Sequence, residues 1–451
     1  MSRPLSVPTT TSLQSWGRLS ESNQQAWYPS GRHCSLPSDS SSSLLPYGMG
    51  RSYGDLPFNP GGLALMGRAL DRFISFDANT GELCCESGVL LGEILQLTVP
   101  KGWFLPVTPG SQFVTVGGAI ANDVHGKNHH RAGCFGNHLL ELELLRSSGD
   151  RLQLKPNDPL FAATVAGLGL TGLITWARMQ LIPVRSNQMS VESIRFEGLD
   201  GFFELSKESD ASHDYTVAWV DCLASRGRGI FFRANHAVAG VGSEEGSCAT
   251  QPLRTEPLRT KLLRTKRRSM PFTPPVSLVN GLSLRAFNAL YFHWPRKRQD
   301  TQHYDPFFYP LDSIAHWNRM YGPAGFYQYQ FVVGLRDGAA AISEALAEIS
   351  RAGLGSFLAV LKVFGDRPSP GLMSFPQPGY CLALDFPRQP QLMALFQRLD
   401  RIILNAQGRL YPAKDACMSP QMFQQGYPRW QAFAQHIDPK FSSAFWRRVT
   451  G

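Results

Sequence analysis

The 451-residue sequence contains no Cys-x-x-Cys pair. Its eight cysteines stand at 34, 84, 85, 134, 222, 248, 381 and 417, and no histidine is spaced to join them as a metal ligand. This pattern argues against a zinc site or a redox dithiol, predicts no metal, and fits a reducing, cytoplasmic compartment. No run reaches the roughly 18 apolar residues of a membrane-spanning helix. The opening MSRPLSVPTTTSLQSWGRLS lacks the apolar centre of a secretory signal, so any membrane contact is expected to be peripheral. Charge is sparse as well: Asp, Glu, Lys and Arg make up 18% of the chain. With abundant Gly, Pro and Phe, that excludes a coiled coil or a disordered chain and predicts a loop-rich α+β enzyme of two domains. The charge that is present leans positive, at +9, which implies an anionic partner such as a phosphate-bearing ligand or an acidic membrane surface.

Glycine is plentiful, and it is concentrated. Residues 106–136, PVTPGSQFVTVGGAIANDVHGKNHHRAGCFG, hold six glycines among small, β-branched and amide residues. Without a Cβ, such a backbone can lie against a ligand with its N–H groups turned to phosphate oxygens. The competing reading is a tight Gly-rich meander with no ligand. Two further segments favour the first: residues 44–55, LLPYGMGRSYGD, read as a buried strand running into a glycine turn, and GLGLTG at 167–172. The latter matches the dinucleotide pattern G-x-G-x-x-G. It is rejected as a Rossmann motif because a helix is expected before it (159–166) and an alternating strand after it (173–183).

Around these segments, residues 1–43 are rich in Ser, Pro and Thr and read as irregular, with Ser15-Trp16-Gly17-Arg18 as a docking element. Strands are expected at 62–66, 73–77, 82–87, 139–145 and 151–154, and a helix at 89–99. From about residue 184 the character changes: strands at 189–196, 215–222, 229–234, 326–333, 357–364 and 380–386, helices at 199–206, 339–352 and 391–406, and a helical tail. Residues 238–275 are basic, with Leu-Arg-Thr recurring at 253, 258 and 263. A period of five builds no regular face, so a flexible loop is expected; the sharper reading is a flap for anionic lipid head groups. No base-stacking or groove-reading motif supports nucleic-acid binding. On strand 326–333 alternation puts Gln328 and Gln330 on one face, suited to a hydroxyl-rich ligand. Lys362 interrupts an otherwise apolar strand and either snorkels or faces a site.

Together, GMGRSYGD (48–55), TPGSQFVTVGGAIANDVHGKNHH (108–130), FFYPLDSIAHWNRMYG (307–322), QYQF (328–331), FPQPGY (375–380) and LYPAKD (410–415) closely resemble the decaprenylphosphoryl-β-D-ribose 2-oxidase family. That family belongs to the vanillyl-alcohol-oxidase-like FAD enzymes, whose flavin domain is of the PCMH type. The resemblance covers residues 44–450; the first 43 do not follow it. It implies an FAD-binding domain at 44–183 rejoined by 410–451, and a central antiparallel-sheet substrate domain at 184–409.

The same resemblance assigns residues. FAD would be lined by Pro46, Tyr47, Gly48, Met49, Gly50, Arg51, Ser52, Tyr53, Gly54, Asp55 and Leu56 of the first loop. The second would contribute Gly110, Thr115, Val116, Gly117, Gly118, Asn122, Asp123, Val124 and His125, joined by Leu173, Ile174 and Tyr411. Many relatives hold flavin covalently through a histidine in the first loop; here Gly50-Arg51-Ser52 stands instead, so FAD is expected to be non-covalent. Lys414, His125 and Tyr53 are the implied catalytic residues, and Gln328, Gln330, Lys362 and Lys127 the implied substrate contacts. Lys414 acts as a base only if a dry site lowers its pKa; otherwise it stabilises charge. His125 is either catalytic or a structural hydrogen-bonding group. Where the family carries a cysteine near the flavin, this chain has Ala383, with Cys381 two positions earlier on the same strand face. The implied reaction oxidises the 2'-hydroxyl of a polyprenyl-phosphoryl pentose, the first half of an epimerisation in cell-envelope biosynthesis that needs a keto-sugar reductase as partner. The alternatives are an oxidase of free sugars, alditols or aldonolactones, and a non-catalytic polyprenyl-phosphate binding module.

Overall fold

A computed structural model describes residues 9–19, 21–37, 42–224, 227–238 and 268–451. Strands Leu44–Tyr47 and Leu63–Met66 are short, largely buried apolar runs, and they pair in parallel from Leu44 with Leu63 to Tyr47 with Met66. Burial on both faces is what a parallel pair requires. Strand Glu21–Trp27 adds in parallel beside Leu63–Met66, and Thr9–Gln14 folds back on it antiparallel. The expectation that residues 1–43 are irregular is therefore corrected over Thr9–Gln14 and Glu21–Trp27. Their Ser, Thr and Gln hide a period-two pattern in which Leu13, Gln24 and Ala26 are buried. The exposed backbone of Leu63–Met66 recruits the segment, and a low β-propensity does not prevent it. The Ser15–Arg18 turn does dock: Trp16 N–H donates to Ser52 O at 2.8 Å.

A second sheet is antiparallel throughout and runs in the order Phe73–Phe76, Glu82–Glu86, Leu173–Gln180, Leu139–Leu145, Arg151–Leu154. Helices Leu91–Thr98 and Val116–Ala121 bury Leu91, Ile94, Val116 and Ile120 in one core with its Leu142, Ile174 and Ala177. GLGLTG lies between helix Pro159–Thr164 and strand Leu173–Gln180, so no Rossmann turn forms. Its Leu168 N–H donates to Ala121 O at 2.8 Å, which ties it to the glycine stretch as a supporting loop.

The largest sheet among the described residues is antiparallel, in the order Gln299–His303, Gln188–Glu197, Arg228–His236, Tyr215–Asp221, Ala359–Phe364, Gly379–Pro387, Phe326–Gly334, Arg409–Leu410. One face is covered by helices Leu335–Ala352 and Leu392–Asn405. Ile342, Leu346 and Ile349 of the first, and Leu395, Leu399 and Ile403 of the second, recur at helical spacing and pack on Phe331, Leu382 and Leu384. The other face is left for the site. The repeats at 253–265 lie outside the described residues. Among the described residues, no helix is long and apolar enough to cross a membrane.

The chain then returns to its beginning. Leu44 N–H donates to Lys440 O at 2.6 Å and Leu44 O accepts from Ser442 N–H at 3.1 Å. In the last helix, Ala444–Thr450, Arg448 grips both oxygens of Asp55 at 2.8 Å and Asp415 Oδ2 at 2.9 Å. One planar guanidinium thus joins the first glycine loop, the 410–415 turn and the C-terminus, a geometry lysine does not reproduce. Arg448→Ala should lower the unfolding free energy of the FAD-loaded protein by about 3 kcal/mol, because it strands the buried Asp415 carboxylate. Chemical denaturation of the two proteins measures this.

Candidate active site

Three backbone segments converge because particular glycines have no side chain. A Cβ on Gly48 would lie 2.7 Å from Thr115 Oγ1, and one on Gly54 only 1.9 Å from Asp415 O. Tyr53 N–H, beside Gly54, donates to Ala413 O at 2.9 Å. Thr115 also opens helix Val116–Ala121, its hydroxyl oxygen accepting from Gly118 N–H at 3.1 Å. The VGGAIA run is thus a short capped helix and not part of a meander.

The free face of the largest sheet meets this junction. Register places Gln328 opposite Asp385, Gln330 opposite Ala383, and Lys362 opposite Cys381, so these side chains share one face. Gln328 Nε2 donates to Asp385 Oδ1 at 2.5 Å. Gln330 Nε2 lies 3.0 Å from His125 Nε2 and 3.4 Å from Cys381 Sγ. An amide nitrogen only donates, so His125 Nε2 accepts and its proton sits on Nδ1. Tyr411 N–H donates to Gln330 O at 2.9 Å, and its hydroxyl to Asn122 O at 3.0 Å. His125 is boxed by Phe364, Phe375 and Tyr411, with ring centroids at 4.8, 5.6 and 5.3 Å.

Electrostatics follow from enclosure. Burial, with help from Lys362, His129 and Lys414, drives the His125 pKa well below its usual value, so the ring is neutral. Lys414 Nζ sits 3.9 Å above the Tyr53 ring. Its pKa falls because of burial, against the pull of Asp385 and with the push of Lys362. Asp385 is raised by burial, against the Gln328 hydrogen bond and Lys414. Lys127 is pushed down to about 7 by burial and by Lys362, and His129 to about 3 by the same causes with His130 adding. Burial also lowers Lys362. Lys362 and Lys414 are enclosed by protein yet keep part of their surface open, so they line an internal cleft. Among the described residues neither makes a close ion pair with a carboxylate, although Asp385 acts on Lys414.

The chain fits a flavin here. Buried Arg51 Nε, Asn122 Oδ1, His125 Nδ1, Gln328 Oε1 and Asp385 Oδ2 find no hydrogen-bond partner in the protein. Buried polar atoms are ordinarily paired, so these call for a ligand carrying both donors and acceptors. They come from the first loop, the glycine stretch and the sheet face, the elements that converge.

Some predicted residues turn elsewhere. Tyr47 donates to Gln14 O at 2.8 Å, towards the N-terminal strand. Asp55 is held by Arg448, while Leu56 and Leu173 are buried in cores. Asp123 accepts from Ser369 and Ser374 hydroxyls, both at 2.5 Å, and from Gly136 N–H at 2.8 Å, so its side chain is scaffold. Lys127 Nζ donates to Phe307 O and lies 4.3 Å over the Phe307 ring. Sequence reasoning passed over Asp385, although a lone acid in YCLALDF, two and four positions from Ala383 and Cys381, was a readable signal. Trp16, expected as part of the Ser15–Arg18 docking element, brings its ring to 4.1 Å from the Arg51 guanidinium. Nothing local in the sequence announces that contact.

The arrangement is that of an FAD-dependent oxidoreductase. Residues 34–155 match the FAD binding domain family. The chain is 35% identical over 465 aligned residues to a decaprenylphosphoryl-β-D-ribose oxidase of Mycolicibacterium smegmatis, covering 98% of each chain. It is 33% identical over 380 residues to an uncharacterized protein of Streptomyces coelicolor, covering 80% of this chain and all of that one. A human Δ(24)-sterol reductase matches at 30% over only 115 residues, 25% of this chain and 22% of that one. The protein belongs to the decaprenylphosphoryl-β-D-ribose oxidase family. Its cofactor is FAD, and no histidine stands in the loop 46–56 to bind it covalently.

Gly54→Ala should come through purification with most of its FAD lost, because a backbone carbonyl blocks the new methyl group. Gly31→Ala, with nothing within 4 Å, should keep it. The ratio of flavin to protein absorbance reads the difference.

Proposed function

We propose that the protein oxidises the 2'-hydroxyl of a polyprenyl-phosphoryl pentose, such as decaprenylphosphoryl-ribose, to the 2-keto sugar. The observation that carries this reading is a cleft with two enclosed lysines, Lys362 and Lys414, and a single acid, Asp385, itself raised by burial, beside a flavin-type site. Such a cleft favours an anionic substrate, and a phosphodiester supplies the missing charge. A free alditol supplies none.

In this reading the sequence divides at 183/184 and 409/410, the outer parts holding FAD and the middle holding the sugar. When bound, FAD supplies the two-electron acceptor for the carbinol hydride. Lys414 takes the hydroxyl proton: burial keeps enough of its amine neutral near physiological pH, and Asp385 receives the charge that develops on it. Tyr53 fixes the Lys414 ammonium over its ring. Neutral His125, aligned by Gln330, turns its Nδ1–H to an acceptor in the cleft. Gln328 and Gln330 hold sugar hydroxyls, and Lys362 holds the phosphate. The keto product requires a reductase to complete epimerisation, and the lipid chain places the enzyme at an anionic membrane surface.

Anaerobic titration is the test. Polyprenyl-phosphoryl ribose should bleach the flavin absorbance; bleaching by a free alditol but not by the lipid sugar would replace this reading with that of a free-sugar oxidase. Lys414→Met should cut kcat by roughly 10²- to 10⁴-fold while FAD stays bound. In the unsubstituted enzyme kcat/KM should rise with pH through the lowered Lys414 pKa, since the neutral amine is the active form. A flat profile would remove Lys414 from the role of base.

A further inference from the structure

Helix Gly281–His293 is apolar on the wrong side. Its inner stripe, Leu284, Asn288 and Phe292, is buried at a spacing of four, as a surface helix requires. Its outer side carries Leu282, Ala286 and Leu290 at the same spacing, with Phe287 and Trp294 on one flank. Leu282 is 81% exposed, Leu290 60% and Trp294 57%. Phe272, Val276 and Leu278, just before the helix, are exposed as well.

The helix is nevertheless rigidly held. Asn280 caps it, accepting from Leu282 and Ser283 N–H groups at 3.1 Å. Asn288 Nδ2 donates to Asp221 Oδ1 at 2.8 Å, and Arg195 donates to Phe292 O and Trp294 O at 2.8 and 2.7 Å. The exposed apolar side is therefore a fixed surface and not a frayed end.

Charge selects what covers it. From Arg268 to Gln299 the chain contains no Asp or Glu but has Arg268, Arg285, Arg296, Lys297 and Arg298. Arg298 is shared with Glu192 at 2.9 Å, whereas Arg285 and Lys297 are exposed beside the apolar side. A second copy of the chain would set these cations against themselves. An anionic bilayer satisfies both features: acyl chains take leucines and phenylalanine, the interface takes tryptophan, and head groups take the cations.

We infer that the outer side of helix Gly281–His293, with Trp294 and its flanking cations, docks the protein on an anionic lipid surface. The location suits the chemistry. Leu284 and Val279, on the inner side, share a cluster with Tyr53, Tyr321 and Phe326, so one helix thickness separates the lipid-facing side from the site. The inference deepens the functional reading above, resting on it only for the lipid nature of the substrate.

Flotation of the FAD-loaded full chain with vesicles tests it. The protein should float with phosphatidylcholine–phosphatidylglycerol vesicles and stay in solution with phosphatidylcholine alone. Leu282→Asp with Leu290→Asp, both at exposed positions that do not disturb the fold, should lower the floated fraction about tenfold. Activity on a short-chain, water-soluble polyprenyl-phosphoryl ribose should be unchanged in that variant. Flavin absorbance and the thermal midpoint verify that it is folded. A parent protein that stays in solution with phosphatidylglycerol present, or a double variant that floats equally well, would overturn the inference. So would a parent protein that sediments as a dimer when the double variant is a monomer, since a second copy would then cover the surface. Vesicle binding with no flavin bleaching by the lipid sugar would sink the substrate reading alone.

Discussion

The site exists because the carbonyl of Asp415 passes where Gly54 has no Cβ. That approach lets the first glycine loop lie along the 410–415 turn, so Tyr53 N–H reaches Ala413 O and Lys414 comes to rest over the Tyr53 ring. These residues lie some 360 positions apart in sequence, roughly, and closing so long a loop costs entropy only logarithmically in its length. Arg448 offsets that cost at one point by binding Asp55 and Asp415 together. Glycine makes the contact sterically open; the ion pair holds it closed.

The same enclosure sets the chemistry. Taking an ammonium group out of water is unfavourable, so lysines in a cleft either find a carboxylate or lose basicity. Here burial lowers Lys127, Lys362 and Lys414 alike, and the acid beside Lys414, Asp385, is itself raised by burial. Groups poised in this way are unfavourable for stability and common where protons are moved. His125 differs from them: neutral, boxed by aromatic rings and aligned by Gln330, it is a fixed donor and not a titrating base. The sheet that bears these residues is a two-sided device. One face is buried under two amphipathic helices; the other carries Gln328, Gln330, Lys362 and Asp385, set singly into largely apolar strands.

Much of this was legible beforehand because the relevant signals are short-range. Alternation put Gln328 and Gln330 on one face, and a lysine within FLAVLKVF stood out against its neighbours. The context of GLGLTG excluded a Rossmann turn, since helix before and strand after are read from periodicity alone. The N-terminal strands were not legible. Thr9–Gln14 and Glu21–Trp27 carry few apolar residues; the second is held by backbone pairing to Leu63–Met66, a partner roughly 40 residues distant, and the first by folding back on the second. Helix Val116–Ala121 was hidden for a related reason: two glycines disfavour it locally, and the Thr115 cap with its tertiary packing outweighs them.

By itself, then, the sequence determined which residue types were available: glycine runs without side chains to obstruct a backbone, lysines and amides set singly into apolar strands, and no acid between 268 and 299. The tertiary structure decided which of them meet. Asp385 joined Lys414 and Gln328, Trp16 settled against Arg51, Asp123 turned away into scaffold, and helix Gly281–His293 kept an apolar side outward. Periodicity reports how a residue stands on its own strand or helix. It does not report the element that arrives from hundreds of residues away, and it is that second element which sets burial, and with burial the pKa of every group in the cleft.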